Sequence, residues 1–137
     1  MRIAVIEDER PIREGLVHIL NKISPEYQVV GSAENGREGL ILLEEQDPDL
    51  ILLDMIMPLL SGMDTARELR QHDPHVPIIF LTSSPEFALE SYEVRTFWYL
   101  LKPLDEVRFH AVLDSWYEVH KASMAHFAAR TDSGYQS

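Results

Sequence analysis

Residues 51–58 read Ile-Leu-Leu-Asp-Met-Ile-Met-Pro. An unbroken apolar run closes on one carboxylate, Asp54, and then continues apolar to a proline. An ionised carboxylate is expensive to bury unless something pairs with it. Asp54 therefore either emerges into water where a strand stops, or partners elsewhere in the chain make the position worth holding. The run before it, Asp49 to Asp54, has the character of a strand covered on both faces, as in a parallel sheet.

Working outward from this strand, the same alternation recurs. Residues 2–6, Arg-Ile-Ala-Val-Ile, form a short apolar run that stops at Glu7-Asp8, and Pro11 then opens a helical pattern with Ile12, Leu16, Ile19 and Ile23 on one face. A β-branched stretch over 27–33 reads as strand two, and the helix after Asn35-Gly36 ends before Asp47-Pro48. Past the Pro58 and Gly62 loop, Met63, Ala66 and Leu69 share a helix face. Strand four is 76–82, a less clearly amphipathic helix is 85–94, strand five is 96–101, and Lys102-Pro103 closes it. A last helix begins near Leu104 with Phe109, Val112, Leu113 and Trp116 at helical spacing. Five strands alternating with five helices predict an α/β fold, a flavodoxin-like (βα)5 three-layer sandwich with strand order 2-1-3-4-5 and a site at the carboxyl ends of the strands. After about His120 the periodicity fades, so residues 1–120 are expected to form one domain, and 121–137 a helix end and linker toward an output domain outside these residues.

Composition narrows the function. At 137 residues the chain suits one domain with a real core. No apolar run approaches the roughly 20 residues of a membrane span, and the start turns acidic too early for a signal peptide. Cysteine is absent, which excludes disulfides and thiolate metal sites and permits a reducing cytoplasm, the expected location. A net charge of −11 argues against a broad phosphate-contacting surface, so no direct nucleic-acid contact by these residues is expected. The six histidines (18, 72, 75, 110, 120, 126) show no metal-ligand spacing and read as solvated.

The polar residues that end the strands are more specific: Glu7 and Asp8 after strand one, Asp54 at strand three, Thr82 and Ser83 at strand four, Lys102 at strand five. In a parallel sheet these ends share one edge. Three carboxylates gathered there repel unless a cation sits among them, and an oxygen-rich site with few carboxylates suits Mg²⁺. Taken singly, each residue also has a plainer reading: Asp8 as a helix cap, Thr82 and Ser83 as turn formers, Lys102 as a solvated strand end, Tyr99 beside Trp98 as packing.

Taken together they resemble the receiver domain of two-component response regulators over residues 1 to about 120. The resemblance rests on Glu7-Asp8, Asp54 followed by Met57-Pro58 and Gly62, Thr82, and Tyr99-Leu-Leu-Lys102-Pro103. It implies that Asp54 accepts a phosphoryl group from a sensor histidine kinase, that Glu7, Asp8, Asp54 and the backbone carbonyl of Ile56 hold Mg²⁺, that Thr82 and Lys102 contact the phosphoryl oxygens, and that Tyr99 is the aromatic switch partner of Thr82. It implies a phospho-acceptor with self-catalysed phosphorylation and dephosphorylation only, not an enzyme in the usual sense. The sequence departs from the pattern at Glu7, longer than the aspartate often found there, and at Arg95-Thr96, where Gly-Ala is frequent.

Two rival classes share the architecture. A Mg²⁺-dependent phosphatase with Asp54 as nucleophile usually carries a second acid two residues on, where this chain has Ile56. A flavin carrier would need a Ser/Thr-rich phosphate loop after strand one, where Glu7-Asp8-Glu9 would repel the phosphate. A stand-alone phosphorelay receiver is the remaining alternative to transcriptional output. The run 86–103 also resembles receivers joined to LytTR-type DNA-binding domains, which implies a transcription regulator; activation is expected to make a homodimer through helix four, strand five and helix five, since Tyr99 lies on strand five beside both helices and Phe87, Leu89, Tyr92 and Val94 stand around helix four.

Overall fold

A computed structural model describes residues 1–133, with the side chains of Phe87, Ala88 and residues 122–133 outside the description. The elements are β1 (Arg2–Ile6), α1 (Arg10–Ile23), β2 (Gln28–Ala33), α2 (Gly36–Gln46), β3 (Leu50–Asp54), α3 (Gly62–His72), β4 (Ile78–Thr82), α4 (Ala88–Ser91), β5 (Trp98–Leu101) and α5 (Glu106–Ser133). The five strands are all parallel, in the order β2-β1-β3-β4-β5. This is the flavodoxin-like arrangement that the alternating pattern predicts. The chain divides into two units, Met1–Leu104 and Asp105–Ser137.

In the first unit the central strands are wholly buried: every residue of β3 and β4 is inaccessible or nearly so. Ile6, Ile51, Leu53, Ile78 and Phe80 belong to one apolar cluster with Met63, Ala66 and Leu69 of α3, and Tyr99 packs against it. Local chemistry sets the element ends. The Asn35 side chain accepts from the Glu38 N–H to start α2, and the Ser61 hydroxyl accepts from the Asp64 N–H to start α3. Asp47 ends α2 in the left-handed region at φ 47°, directly before Pro48, which cannot continue a helix.

Several boundaries differ from the sequence pattern by a residue or two, and two of them have a visible cause. The segment 85–94 is not one helix: α4 spans four residues between the 3-10 turns Pro85–Phe87 and Tyr92–Val94. Its apolar residues fall all round rather than on one stripe, so no face drives a longer helix. Leu89 and Tyr92 are exposed, Val94 is buried, and Phe87 lies outside the described side chains. Arg95 closes the segment at φ 55°, a conformation glycine adopts without the Cβ clash. Two arginines of α3 hold it there. Arg70 donates through Nε to the Val94 carbonyl (2.7 Å) and through Nη2 to the Arg95 carbonyl (3.1 Å), and Arg67 pairs with Glu93 at 2.9 Å. β5 starts at Trp98, because Thr96 instead turns its hydroxyl onto the carbonyls of Ile78 and Trp98.

In the second unit α5 runs to Ser133, through the stretch after about His120 that the sequence marks as a helix end. Residues 121–130 contain several good helix formers (Lys121, Ala122, Met124, Ala125, Arg130) and no glycine or proline, which lets the backbone continue. Phe109, Leu113 and Trp116 are buried. His120 is not a solvated histidine: its ring stacks on Trp116 (centroids 5.3 Å) and its Nδ1 lies 2.9 Å from the Trp116 carbonyl oxygen. His18, His72, His75 and His110 are exposed, and the side chain of His126 lies outside the description.

Gly62 decides where the end of β3 sits. Its N–H donates to the Met55 carbonyl at 2.8 Å, and a Cβ there would collide with the backbone oxygen of Asp54 and approach the Met55 Cα to 2.7 Å. Backbone cannot move aside as a flexible side chain can. Gly62→Ala is therefore expected to destabilise the protein by about 2–3 kcal/mol in urea unfolding, whereas the same change at Gly15, which faces open space, should not destabilise it.

Candidate functional site

Register brings the polar strand ends together. Asp54 pairs with Leu81 and Thr82 with Leu101, so Asp54, Thr82 and Lys102 stand on neighbouring strands at one edge. Across β1 the same edge carries Glu7 and Asp8, and the Glu7 N–H donates to the Ala33 carbonyl at 3.0 Å. A cleft of about 510 Å³ opens there, lined by Asp8, Glu9, Ile12, Asp54, Ile56, Ser83, Lys102 and Pro103.

Asp54 does not emerge into water; it is 3% exposed. Lys102 Nζ lies 3.3 Å from Asp54 Oδ1 and 2.9 Å from Glu7 Oε1, and the Ile56 N–H donates to Asp54 Oδ1 at 3.3 Å. Glu7 is completely buried, its Oε2 accepting from the Glu9 N–H at 3.1 Å. Glu7, Asp8 and Asp54 each offer an oxygen within 4.8 Å of the others. Asp8 Oδ1 and Asp54 Oδ2 are buried with no hydrogen-bond partner. Two orphaned carboxylate oxygens turned into one acidic pocket need either a proton or a cation, and an all-oxygen donor set suits a hard divalent ion such as Mg²⁺.

The electrostatics follow. Burial, then Asp8 and then Glu7 push the Asp54 carboxyl up to about 8, against the opposing pull of Lys102. Burial also works to raise Asp8, but hydrogen bonding with Asp54 and Glu7 outweighs it and holds Asp8 below its ordinary value. Asp54 is thus the member of the pair that keeps the proton when no cation is bound. For Lys102, burial favours the neutral amine, but Glu7 and Asp54 outweigh it and raise its pKa.

The plainer readings fare unequally. Asp8 is not the helix cap, because the residue before α1 is Glu9, whose side chain makes no capping bond. Lys102 is not solvated, with its side chain 12% exposed. Thr82 is a turn former as the structure stands: its hydroxyl accepts from the Ser84 N–H (3.0 Å) and donates to the Ser84 carbonyl (3.2 Å). Tyr99 is half-buried and stacks on Trp98 with centroids 6.3 Å apart. Two residues bonded to members of the site have no counterpart in the sequence motifs. Glu9 Oε2 is 3.7 Å from Lys102 Nζ. Arg13 Nη1 donates to the Glu7 carbonyl at 2.8 Å and reaches the Asp8 carbonyl at 3.4 Å. The one sequence signal for either is its place within about a helical turn of the acidic pair.

Comparison with known proteins settles the family. The response regulator receiver domain family matches residues 3–114. The chain belongs to it. These are the phosphoryl-accepting switch domains of two-component systems, and they bind Mg²⁺ at an acidic pocket. Among similar proteins, the positive alginate biosynthesis regulatory protein of Pseudomonas aeruginosa is 36% identical over 76% of this chain and 42% of its own length. Transcriptional regulatory protein BtsR of Escherichia coli is 35% identical over 82% and 46%, and sensory transduction protein LytT of Oceanobacillus iheyensis 34% over 83% and 47%. The chain thus spans about half the length of the curated relatives it matches. The receiver domain of the response regulator AraT from Geobacillus stearothermophilus superimposes with a TM-score of 0.81 at 27% identity, covering 90% of this chain and 97% of that one. The response regulatory domain of mrkE from Klebsiella pneumoniae gives 0.81 at 30%, covering 89% and 99%. Among the described residues, no helix of this receiver is long and apolar enough to cross a membrane.

The raised Asp54 pKa makes metal-free stability depend on pH. Between about 4 and about 8 the folded receiver holds a proton on Asp54 that the unfolded chain has lost, so the contribution of Asp54 to stability is full below its ordinary value of 3.8 and is lost as pH rises toward 8. In urea unfolding without divalent ions, Asp54→Asn should flatten this decline and exceed the wild type at pH 8 by roughly 1–3 kcal/mol. Added Mg²⁺ should recover stability in the wild type and little in the variant.

Proposed function

We propose that Asp54 is the phosphoryl acceptor of this receiver and that a sensor histidine kinase is its donor. The observation that carries this is the buried Asp54 carboxylate at the end of β3, with Lys102 Nζ 3.3 Å from one oxygen and the other oxygen unpartnered in the acidic pocket. In the transfer, an Asp54 oxygen forms the new P–O bond as the P–N bond to the kinase histidine breaks, and the imidazole nitrogen leaves with the electron pair. Asp54 must be ionised to attack. Lys102 would follow the charge on to a phosphoryl oxygen, and backbone N–H groups at the strand ends are the kind of donors that hold such oxygens.

Asp8 and Asp54 would hold Mg²⁺, with Glu7 and the Ile56 carbonyl as further ligands. When bound, the ion supplies neutralisation of the crowded carboxylates and of the phosphoryl oxygens. Glu7 is already engaged by Lys102 and by the Glu9 N–H, so its part toward the metal is the more indirect one. Loss of the phosphoryl group would proceed at the same residues by attack of water on phosphorus.

For the switch, Thr82 would exchange its turn bonds to Ser84 for a phosphoryl oxygen, and Tyr99, two positions into β5, would turn inward behind it. The exposed apolar residues Leu89, Tyr92, Trp98 and Leu101 give the activated form a surface for homodimerisation. The output would be transcriptional, through a DNA-binding domain of LytTR type outside these 137 residues, with the receiver itself working in the cytoplasm. The names of the relatives BtsR and LytT support this.

Incubation with acetyl phosphate and Mg²⁺ followed by mass spectrometry should show one added phosphoryl group, absent without Mg²⁺ and absent in Asp54→Asn. A phosphoryl group retained by Asp54→Asn refutes the assignment. Sedimentation with beryllofluoride, which stands in for the phosphoryl group, should show a dimer. A Leu101→Glu variant should stay monomeric while still binding beryllofluoride.

A further inference from the structure

Arg13 makes no contact with the cleft, and neither the receiver motifs nor the proposed chemistry accounts for it. It lies on the first turns of α1, and its guanidinium reaches back to the carbonyls of Glu7 and Asp8 at 2.8 and 3.4 Å. Those two carbonyls belong to the peptide planes on either side of the Asp8 Cα. Because each peptide is planar, holding both oxygens restricts φ and ψ of Asp8 and so the direction of its Cβ. The turn needs such a hold. The Glu9 side chain makes no capping bond to α1, and Pro11 has no N–H to contribute. What else ties the turn down is the Glu7 N–H on Ala33, the Glu9 N–H on Glu7 Oε2, and the Arg13 N–H on the Glu9 carbonyl. Of these, only the Glu9 N–H belongs to a peptide next to the Asp8 Cα, the one that also carries the Asp8 carbonyl; the Glu7–Asp8 peptide on the other side is held by Arg13 through the Glu7 carbonyl.

We infer that Arg13 is a positioning residue for divalent-cation binding, aiming the Asp8 carboxylate into the pocket by holding the carbonyls of Glu7 and Asp8. The inference rests on the proposed role of Asp8 as a metal ligand. The sign of the effect separates positioning from charge. The guanidinium has the same sign as the ion and sits behind its ligand, so removing the charge alone would tighten cation binding. Removing an outer partner that orients a ligand weakens it, typically by ten- to a hundredfold.

The test is titration with Mg²⁺ alone, followed by amide NMR shifts in the unphosphorylated 137-residue chain, for the wild type, Asp8→Ala, Arg13→Ala, Arg13→Gln and Arg13→Lys. Arg13→Ala should bind Mg²⁺ about tenfold more weakly. Arg13→Gln, which keeps a donor without the charge, and Arg13→Lys, which keeps the charge with a shorter reach, should each recover part of the loss. Urea unfolding run alongside reports stability, which a merely structural Arg13 would lower while leaving the affinity of the folded protein untouched. Should Arg13→Ala fail to fold, the Gln and Lys variants decide the matter by the same comparison with the wild type. Affinity unchanged or tightened in the folded Arg13 variants, with Asp8→Ala impaired, overturns the role of Arg13 alone. Wild-type affinity in Asp8→Ala overturns the metal reading itself, and the Arg13 role with it.

Discussion

A carboxylate that is almost wholly buried beside two others is the constraint on which this receiver is organised. Asp54 at 3% exposure would not stay charged in such a place without help, and the raised pKa expresses that cost. Lys102 offsets part of it by lying within ion-pair distance of both Asp54 and Glu7. The remainder is left as two carboxylate oxygens without partners. That residual dissatisfaction is useful: a site content in its resting state would have no reason to take up a cation or a phosphoryl group. Stability is given up locally for a binding energy realised only when the ligand arrives.

The scaffold around this point is correspondingly stiff. β3 and β4 are buried along their whole lengths, and Gly62 lets α3 start so close to β3 that no side chain fits between them. α3 in turn carries Arg67 and Arg70, which reach the segment ahead of β5 through Glu93 and the carbonyls of Val94 and Arg95. The segment they hold is a four-residue helix between two 3-10 turns, in which Val94 is buried while Leu89 and Tyr92 are exposed. Between the buried end of β3 and the 85–94 segment, the Thr82 hydroxyl closes a local turn onto Ser84.

The strands and most helices are legible in the sequence because their signals are local. Unbroken apolar runs mark β3 and β4, Asn35 and Pro48 bracket α2, and the polar residues that end β1, β3, β4 and β5 mark the site edge. The segment 85–94 reads as one helix in sequence and is not, because turn formation there depends on side chains of α3 some twenty-five positions away. The pattern marks 121–137 as a helix end without fixing its last residue, because periodicity reports only the buried stripe while backbone helicity continues wherever nothing breaks it. His120 reads as solvated because a ring stacked on Trp116 has no sequence signature beyond an i, i+4 spacing.

By itself, then, the order of residues determined which side chains could meet at the sheet edge: alternation sets strand direction, and parallel strands carry their last residues to the same side. Only the tertiary structure decided how they meet. That Asp54 is buried rather than emergent, that Glu7 spends its oxygens on Lys102 and the Glu9 N–H, that Thr82 is turned onto Ser84, and that Arg13 grips the acidic turn from behind are matters of a few ångströms. The physical reason is range. Hydrophobic patterning is a property of a residue and its near neighbours in sequence, whereas desolvation, ion pairing and hydrogen bonding depend on distances between groups brought together from separate strands and helices, and those distances exist only once the sheet has formed.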